Sequence, residues 1–471
     1  MAADNPSNMS SSPSSSALDR RYQRWRFQIF GVTWLAYASY YLVRKSFAVA
    51  KVAFDDDSAI HFTKEQMGRV DAAYLATYSL GQFIWGPLSD RFGPRPVILF
   101  GMGLAIVVGV LSGMSTALTA FILLAVVQGA AQSSGWSPLV KNMSSWFSFR
   151  ERGTVMGVWC TNFAVGGFVA SILAGTAIAF FSDTPWAAWR FGFFVPAATL
   201  FVVWLLIFLF QRDKPEDVGL PPIEQYHGEP QQVVEPGDRP TDEPDKSWKV
   251  IREVLQSPIV WVLAIGYFSL KMTRYTILFW GPKYVNEMLG SDASESAWIS
   301  AMFEIGGPLG VLIVGYLSDR LFQSRRIPVA VISLVLLAGV LFGVNQLVLG
   351  KFGFIIFFLL TGFFLFGPDA IISGTAAMDF GTKKGAGTAA GLINGIGSIG
   401  AVFGGYIPGW ISADTQSVSG QAVRRWFYST LGVQDDWAMI FYIFMVSILA
   451  TALLLLPLWW HKPPAARENG Q

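Results

Sequence analysis

Charge is scarce in this chain. Asp, Glu, Lys and Arg make up 14% of its 471 residues, where a soluble domain carries about 25%. So few charges cannot cover a water-facing surface, and most of the surface is expected to face lipid. Histidine is nearly absent, and His61, His227 and His461 all fall outside the apolar stretches given below. Cysteine is rarer still: the lone Cys160 has no partner for an internal disulfide. These shortages leave no cluster of metal ligands, no nucleophile beside a base and no phosphate-cradling loop. They argue against an enzyme and against any cofactor or metal. A net charge of +2 is too balanced for a nucleic-acid binder. Residues 1–19 are Ser-rich and lack the apolar core and cleavage site of a signal peptide, so they read as a disordered tail.

What the chain has instead is apolar sequence, 52% of the total. One bilayer crossing takes ~20 apolar residues. Stretches of that length recur at 27–50, 68–89, 97–115, 118–140, 153–181 and 187–211, then at 259–285, 296–318, 328–348, 352–378, 386–411 and 436–460. The pattern predicts an all-α membrane protein of twelve transmembrane helices. The polar, Pro-rich stretch 212–258 splits it into six-helix halves at 20–211 and 259–460, with a short tail at 461–471. Arg20, Arg21, Arg24, Arg26, Arg91, Arg95, Arg150, Arg152, Arg320, Arg325, Arg326, Lys383 and Lys384 would share one side of the membrane, with Asp55, Asp56 and Asp57 opposite. The positive-inside rule makes that side, both termini and the central linker cytoplasmic, with Arg424 and Arg425 the exception.

The halves are related by an internal repeat. Gly86-Pro87-Leu88-Ser89-Asp90-Arg91 returns as Gly315-Tyr316-Leu317-Ser318-Asp319-Arg320, a shift of 315 − 86 = 229. Pro138 answers to Pro368 and Arg44 to Arg274, each a shift of 230. The G-x-L-x-D-R element at the ends of spans two and eight resembles the hallmark of the major facilitator superfamily. That resemblance implies the major facilitator fold, with substrate bound near mid-membrane between the halves. It also implies that the Gly lets helices approach closely, while Asp90, Arg91, Asp319 and Arg320 pair across the halves to hold one conformation.

Charge inside a span costs roughly 2.5–3.5 kcal/mol per residue, so it marks a pathway. Arg44, Lys45, Lys271, Arg274, Glu304 and Asp369 are the candidates. Arg44 and Arg274 occupy equivalent points of the repeat, so a pseudo-twofold axis aims both into the central cavity. Two guanidinium forks suit a tetrahedral phosphate carrying about −1.5 to −2 charge. Lys45 points about 100° away from Arg44 around its helix and is expected to pair with Glu304. Lys271 shares a face with Arg274, and Asp369 is expected to neutralise it. Tyr37, Tyr40, Tyr41, Tyr78 and Trp136 gather around Arg44, where their polar edges can meet sugar or glycerol hydroxyls.

Several segments are similar to the organophosphate:phosphate antiporters, a family of glycerol-3-phosphate and hexose-6-phosphate transporters that includes a hexose-phosphate sensor. They are Tyr37-x-x-Tyr40-Tyr41-Leu42-Val43-Arg44-Lys45, the run Arg212-Asp213-x-Pro215-x-x-x-Gly219-Leu220-Pro221-Pro222-Ile223-Glu224, Arg274-Tyr275 with Trp280, and Lys383-Lys384-x-Ala386-Gly387-Thr388-Ala389-Ala390-Gly391. The resemblance places the family's phosphate-binding arginines on Arg44 and Arg274. It implies exchange of a phosphorylated organic anion for inorganic phosphate by a monomer in the bacterial inner membrane. The family signature R-G-x5-W-N-x2-H-N-x-G-G is kept at Arg152, Gly153, Trp159, Gly166 and Gly167. It departs at Cys160, Phe163 and Ala164, so the cavity histidine is replaced by Phe163. Phe279 stands where an acid is expected, and Gln82 where several members carry a lysine. A sensor of hexose phosphate is the alternative within the family. A proton-coupled exporter of cations or drugs is the alternative outside it, although the cavity candidates are mainly cationic.

Overall fold

The computed structural model describes residues 15–148, 151, 155–156, 158–226, 252, 254–322, 325–375 and 386–460. Among the described residues, twelve long helices follow one another: α1 Ser15–Ala53, α2 Lys64–Phe92, α3 Pro94–Met114, α4 Leu118–Trp146, α5 Thr161–Phe180, α6 Phe191–Phe210, α7 Pro258–Leu289, α8 Ala293–Arg320, α9 Arg326–Gln346, α10 Lys351–Ala370, α11 Ala386–Trp410 and α12 Asp436–Leu455. Eight of them are long and apolar enough to cross a membrane by length and composition alone. The other four are α1, α2, α7 and α11. The first three carry buried charges, and α11 is rich in glycine. Their polar faces turn inward, which is where the site lies.

The packing obeys the repeat. Within the halves, α1 packs on α5 as α7 packs on α11, and α2 on α4 as α8 on α10. Between the halves, α2 meets α11 and α5 meets α8, which exchange under the same shift of six helices. Glycine makes these contacts possible. A Cβ on Gly166 of α5 would lie 2.4 Å from the Ala38 carbonyl of α1, and one on Gly400 of α11 would lie 2.2 Å from the Phe268 carbonyl of α7. Ala38 and Phe268 are 230 residues apart, so one helix–helix contact has been built twice.

Proline breaks the helices beside the centre, also twice. In α4 the turn at Ser133–Ser134 precedes Pro138, and in α10 a π-turn at Ile371–Thr375 follows Pro368. Proline removes an N–H from the helical ladder, and such π-turns concentrate at functional sites.

One expectation about the N-terminus needs adjustment, and the linker adds a contact of its own. The helix α1 begins at Ser15, inside the stretch read as a disordered tail, and Asp19 accepts a hydrogen bond from the Tyr226 hydroxyl at 3.0 Å. The first part of the polar linker is docked against the N-terminal half. Tyr22 and Tyr226 stack at 4.0 Å, and Asn142 donates to the carbonyls of Arg212 and Asp213. Residues 1–14, 227–251 and 461–471 lie outside the described residues, as do Arg150, Arg152, Gly153, Lys383, Lys384, His227 and His461.

Both described chain ends lie at one end of the bundle, here the proximal end. The halves are joined at the opposite, distal end. Lys64 reaches Glu287 at 2.7 Å, Lys283 pairs with Asp55, and Glu65 accepts from the Gln416 amide and the Thr415 hydroxyl. At the proximal end a Cβ added at Gly86 or Gly315, the motif glycines, would meet no described neighbour within 4 Å. Among the described residues, the close approach expected of them is not made in this conformation. Arg91 and Arg320 are exposed and lie against Phe92 and Tyr316 of their own helices. The side chains of Asp90 and Asp319, and with them the expected cross-half pairing, lie outside the described residues.

Candidate functional site

The site lies where the four polar helices converge with the broken turns of α4 and α10. Arg44 on α1 is buried and donates from Nε to the Gln132 amide oxygen at 3.0 Å. Tyr74 donates to the same oxygen at 2.8 Å, which fixes the amide. The guanidinium lies 4.5 Å from the Tyr41 ring centre and 4.7 Å from that of Tyr78, so two aromatic faces help to hold it. Its Nη2 has no hydrogen-bond partner. A buried guanidinium held by a neutral amide, with a donor to spare, is ready for an anion.

The repeat partner is held differently. Arg274 on α7 donates from Nη1 to Asp369 Oδ2 on α10 at 3.1 Å. Its guanidinium lies 4.2 Å from the Phe366 ring centre and 5.6 Å from that of Phe163. Phe163 of α5 and Phe366 of α10 stack nearly parallel across the halves, 6.0 Å apart and 9° from coplanar. The phenylalanine in the family's histidine position therefore walls one side of Arg274 and offers it no proton. Lys271, one turn from Arg274, donates to the Asn394 amide oxygen of α11 at 2.9 Å and has no described carboxylate within 4 Å. The expected pairing of Asp369 with Lys271 is thus corrected: Asp369 pairs with Arg274. The cause is direction, since Arg274 turns toward α10 and the Lys271 ammonium toward α11.

Lys45 lies 3.5 Å from Glu304 Oε1 on α8 and donates to the Leu278 carbonyl at 3.1 Å. That carbonyl is four residues before Pro282, which lacks the N–H that would otherwise occupy it. The Lys45 ammonium therefore caps an orphan acceptor of the opposite half. Gly167 makes room for the pair, since a Cβ there would lie 2.7 Å from the Glu304 carboxyl carbon.

Tyr37 and Trp136 stand one step back. Tyr37 packs edge-on against Trp136 at 5.2 Å and against Tyr41 at 6.1 Å, supporting the ring that faces Arg44. Tyr40 turns away and is hydrogen-bonded to Ser134 at 3.0 Å. Sequence reasoning missed Gln132, Tyr74, Asn394 and Phe366, whose types carry no charge signal. It also missed Lys51 and Asp71, a fully buried ion pair on the distal side of the site. Asp71 lies inside the second apolar stretch, so the rule that found Arg44 also applied to it. Lys51 donates to the Phe279 carbonyl at 3.1 Å and lies 3.8 Å from the Trp280 ring centre, tying α1 to α7.

Comparison with known proteins matches this architecture. The family model of the Major Facilitator Superfamily matches residues 33–405 and 289–471. The glycerol-3-phosphate transporter of Bacillus subtilis (strain 168) is 32% identical over 464 residues, 96% of each chain. A probable hexose phosphate transport protein of Chlamydia trachomatis is 30% identical over 96% of this chain and 94% of its own. The membrane sensor protein UhpC of Salmonella typhimurium is 30% identical over 93% of each. Among solved structures, a bacterial homologue of the human lysosomal transporter Spinster, inward-facing and unoccupied, superposes with a TM-score of 0.67 at 15% identity. It covers 92% of this chain and 95% of its own. The nucleoside transporter NupG gives 0.65 at 12% identity, covering 93% and 100%. These two show the fold. With the duplicated bundle and the intramembrane arginines, the relatives make this chain a multi-pass membrane transporter of the major facilitator superfamily, in its organophosphate:phosphate antiporter family.

Proposed function

We propose that the protein exchanges a small phosphorylated organic anion, a sugar phosphate or glycerol 3-phosphate, for inorganic phosphate by alternating access. The observation that carries this reading is Arg44: buried, held by a neutral amide and two tyrosine faces, with Nη2 unpartnered. The phosphate would lie between Arg44 and Arg274, and Tyr37, Tyr41, Tyr78 and Trp136 would line the organic part. The similarity to a glycerol-3-phosphate transporter and to a probable hexose phosphate transport protein supports the substrate class. The protein would work as a monomer in the bacterial inner membrane with both termini cytoplasmic. With both termini cytoplasmic, the ion pairs that join the halves at the distal end would favour an inward-facing conformation.

Exchange, rather than one-way movement, follows from the charges. Closing the proximal end over an empty site would desolvate Arg44 and Lys271 with no anion beside them, which is costly. A bound phosphate offsets that cost and lets the halves rock. Proteoliposomes loaded with phosphate should take up radiolabelled phosphate or ester quickly, and empty ones hardly at all. Equal uptake into phosphate-free vesicles, driven by an imposed pH gradient, would show a proton symporter instead.

The similarity to UhpC favours one second reading, a membrane sensor of hexose phosphate. Ester binding without any counterflow would select it.

A further inference from the structure

We infer that the short helix Val418–Trp426, in the distal loop between α11 and α12, lies on the lipid surface of the distal leaflet. The row Val418, Ala422 and Trp426 is set among the acyl chains, and Arg425 binds lipid phosphate. This surface is remote from the central site, and its role holds whatever anion that site carries.

The repeat makes this loop conspicuous. Its counterpart between α5 and α6 spans only 181–190, whereas this one spans 411–435. The extra length forms the helix. Ser417 caps it by accepting from the Gly420 amide, and Gly432, at a φ of +68°, closes the turn Phe427–Leu431 that follows. The helix is also fixed in place. A Cβ on Gly420 would lie 2.1 Å from the Trp410 carbonyl at the end of α11, so only glycine lets the two meet. The Trp410 indole donates to Ser417 and Ser419, each at 3.1 Å. Arg424 donates to the Ile411 carbonyl at 2.8 Å and pairs with Asp436 at the start of α12. From the other half, the Lys64 amide of α2 donates to Asp414 at 3.0 Å. Tied to α2, α11 and α12 together, the loop has a set outward direction.

Residues four apart share a row on a helix. Gly420 and Arg424 make the inward row. Val418, Ala422 and Trp426 make an outward one, with Val418 78% and Trp426 54% exposed, and Tyr428 and Leu431 add exposed apolar surface in the next turn. Gln421 and Arg425 form the exposed polar row beside it. Arg424 has Asp436, but Arg425 has no ion pair among the described residues. The loop joins the ends of two membrane helices, so it stands at the edge of the hydrocarbon, where tryptophan, tyrosine and arginine gather. The rest of the distal rim indicates what covers it. Phe180 and Trp186 are exposed around the α5–α6 loop, and Val348 and Phe352 around the α9–α10 turn. A protein partner would cover one side of the bundle, whereas exposed apolar groups on both halves fit a bilayer that surrounds it. The Arg425 stem can run along the apolar row and carry its guanidinium fork to a phosphate.

The test places single cysteines on the helix in a Cys160→Ser background and attaches a polarity-sensitive fluorophore to each. The protein is held in nanodiscs of phosphatidylethanolamine and phosphatidylglycerol. Lipids with a nitroxide headgroup and iodide in the water then compete to quench the label. At Ala422→Cys the ratio of lipid to iodide quenching should exceed that at Gln421→Cys by about three-fold or more, since one row enters lipid and the other faces water. Val418→Cys should follow Ala422→Cys, and it takes the place of that variant if the latter does not fold. Arg425→Gln removes the headgroup bond and should lower the ratio at Ala422→Cys by about two-fold. Equal ratios in the two rows, with iodide reaching both, leave the helix in water and overturn the inference. A ratio that Arg425→Gln leaves unchanged overturns the phosphate contact. Protection of Ala422→Cys from both quenchers, with two copies in each disc, would give the row to a second copy of the chain and overturn the lipid assignment as well.

Discussion

The two arginines of the site occupy one position of a duplicated scaffold and have opposite surroundings. Arg44 faces a neutral amide and two tyrosine rings, and keeps an N–H free. Arg274 faces a carboxylate and a phenylalanine stack, with Lys271 one turn away. Duplication has preserved what the backbone controls, which is helix order, glycine contacts and the proline-broken turns beside the site. Divergence has worked on what surrounds each guanidinium. The N-terminal half presents an open donor, and the C-terminal half presents a compensated one, so anion capture should begin at Arg44 and finish at Arg274.

The largest expected effect breaks this comparison directly. Arg44→Lys and Arg274→Lys should each lower phosphate counterflow by about 100-fold, since each loses a two-pronged bond to an anion worth ~1.5–3 kcal/mol per hydrogen bond. Arg44→Lys should be at least as severe, because Lys271 supplies positive charge on the other side only. Counterflow near wild type in either variant would remove that arginine from the site. Next in size is the pair of Lys45 and Glu304. Replacing either one with Ala leaves a buried charge alone and should cost ~3–5 kcal/mol, read as a fall in melting temperature, whereas the double change removes both charges. A double variant no more stable than the sum of the singles would show that the two do not stabilise each other.

The same contrast explains how much was legible in the sequence. Helix number, the split into halves and the repeat could be read because lipid requires long apolar runs and duplication leaves a fixed offset. Arg44, Arg274, Lys45 and Glu304 could be found because buried charge is costly and therefore conspicuous. Gln132 and Asn394 could not, since a neutral amide costs little in a helix and stands out only once its partner is placed. The partner of Asp369 was misread for a related reason: spacing along α7 puts Lys271 and Arg274 on one face, but only the crossing of α10 and α11 decides which of them each neighbour meets. Close approach by glycine was expected at Gly86 and Gly315, and the structure makes it at Gly166 and Gly400 instead. A motif names a residue without naming the conformation in which it is used.

That difference between the glycines yields the two smallest expected effects, and they are informative as a pair. At Gly166 an added methyl would meet the Ala38 backbone at 2.4 Å, so α1 and α5 must separate. Gly166→Ala should cost ~1–3 kcal/mol, as overpacking does in a dense interior, and lower the melting temperature accordingly. At Gly86 the added methyl meets no described neighbour within 4 Å, and alanine is the better helix former by ~1 kcal/mol. Gly86→Ala should therefore leave the melting temperature unchanged or slightly raised. Its effect should fall on transport, because closing the proximal end would bring α2 toward the other half and the methyl would obstruct it. A Gly86→Ala protein that is stable and exchanges phosphate at the wild-type rate would mean that the proximal seam closes without using this face of α2. One that is stable but slow would assign the motif glycine to the opposite conformation.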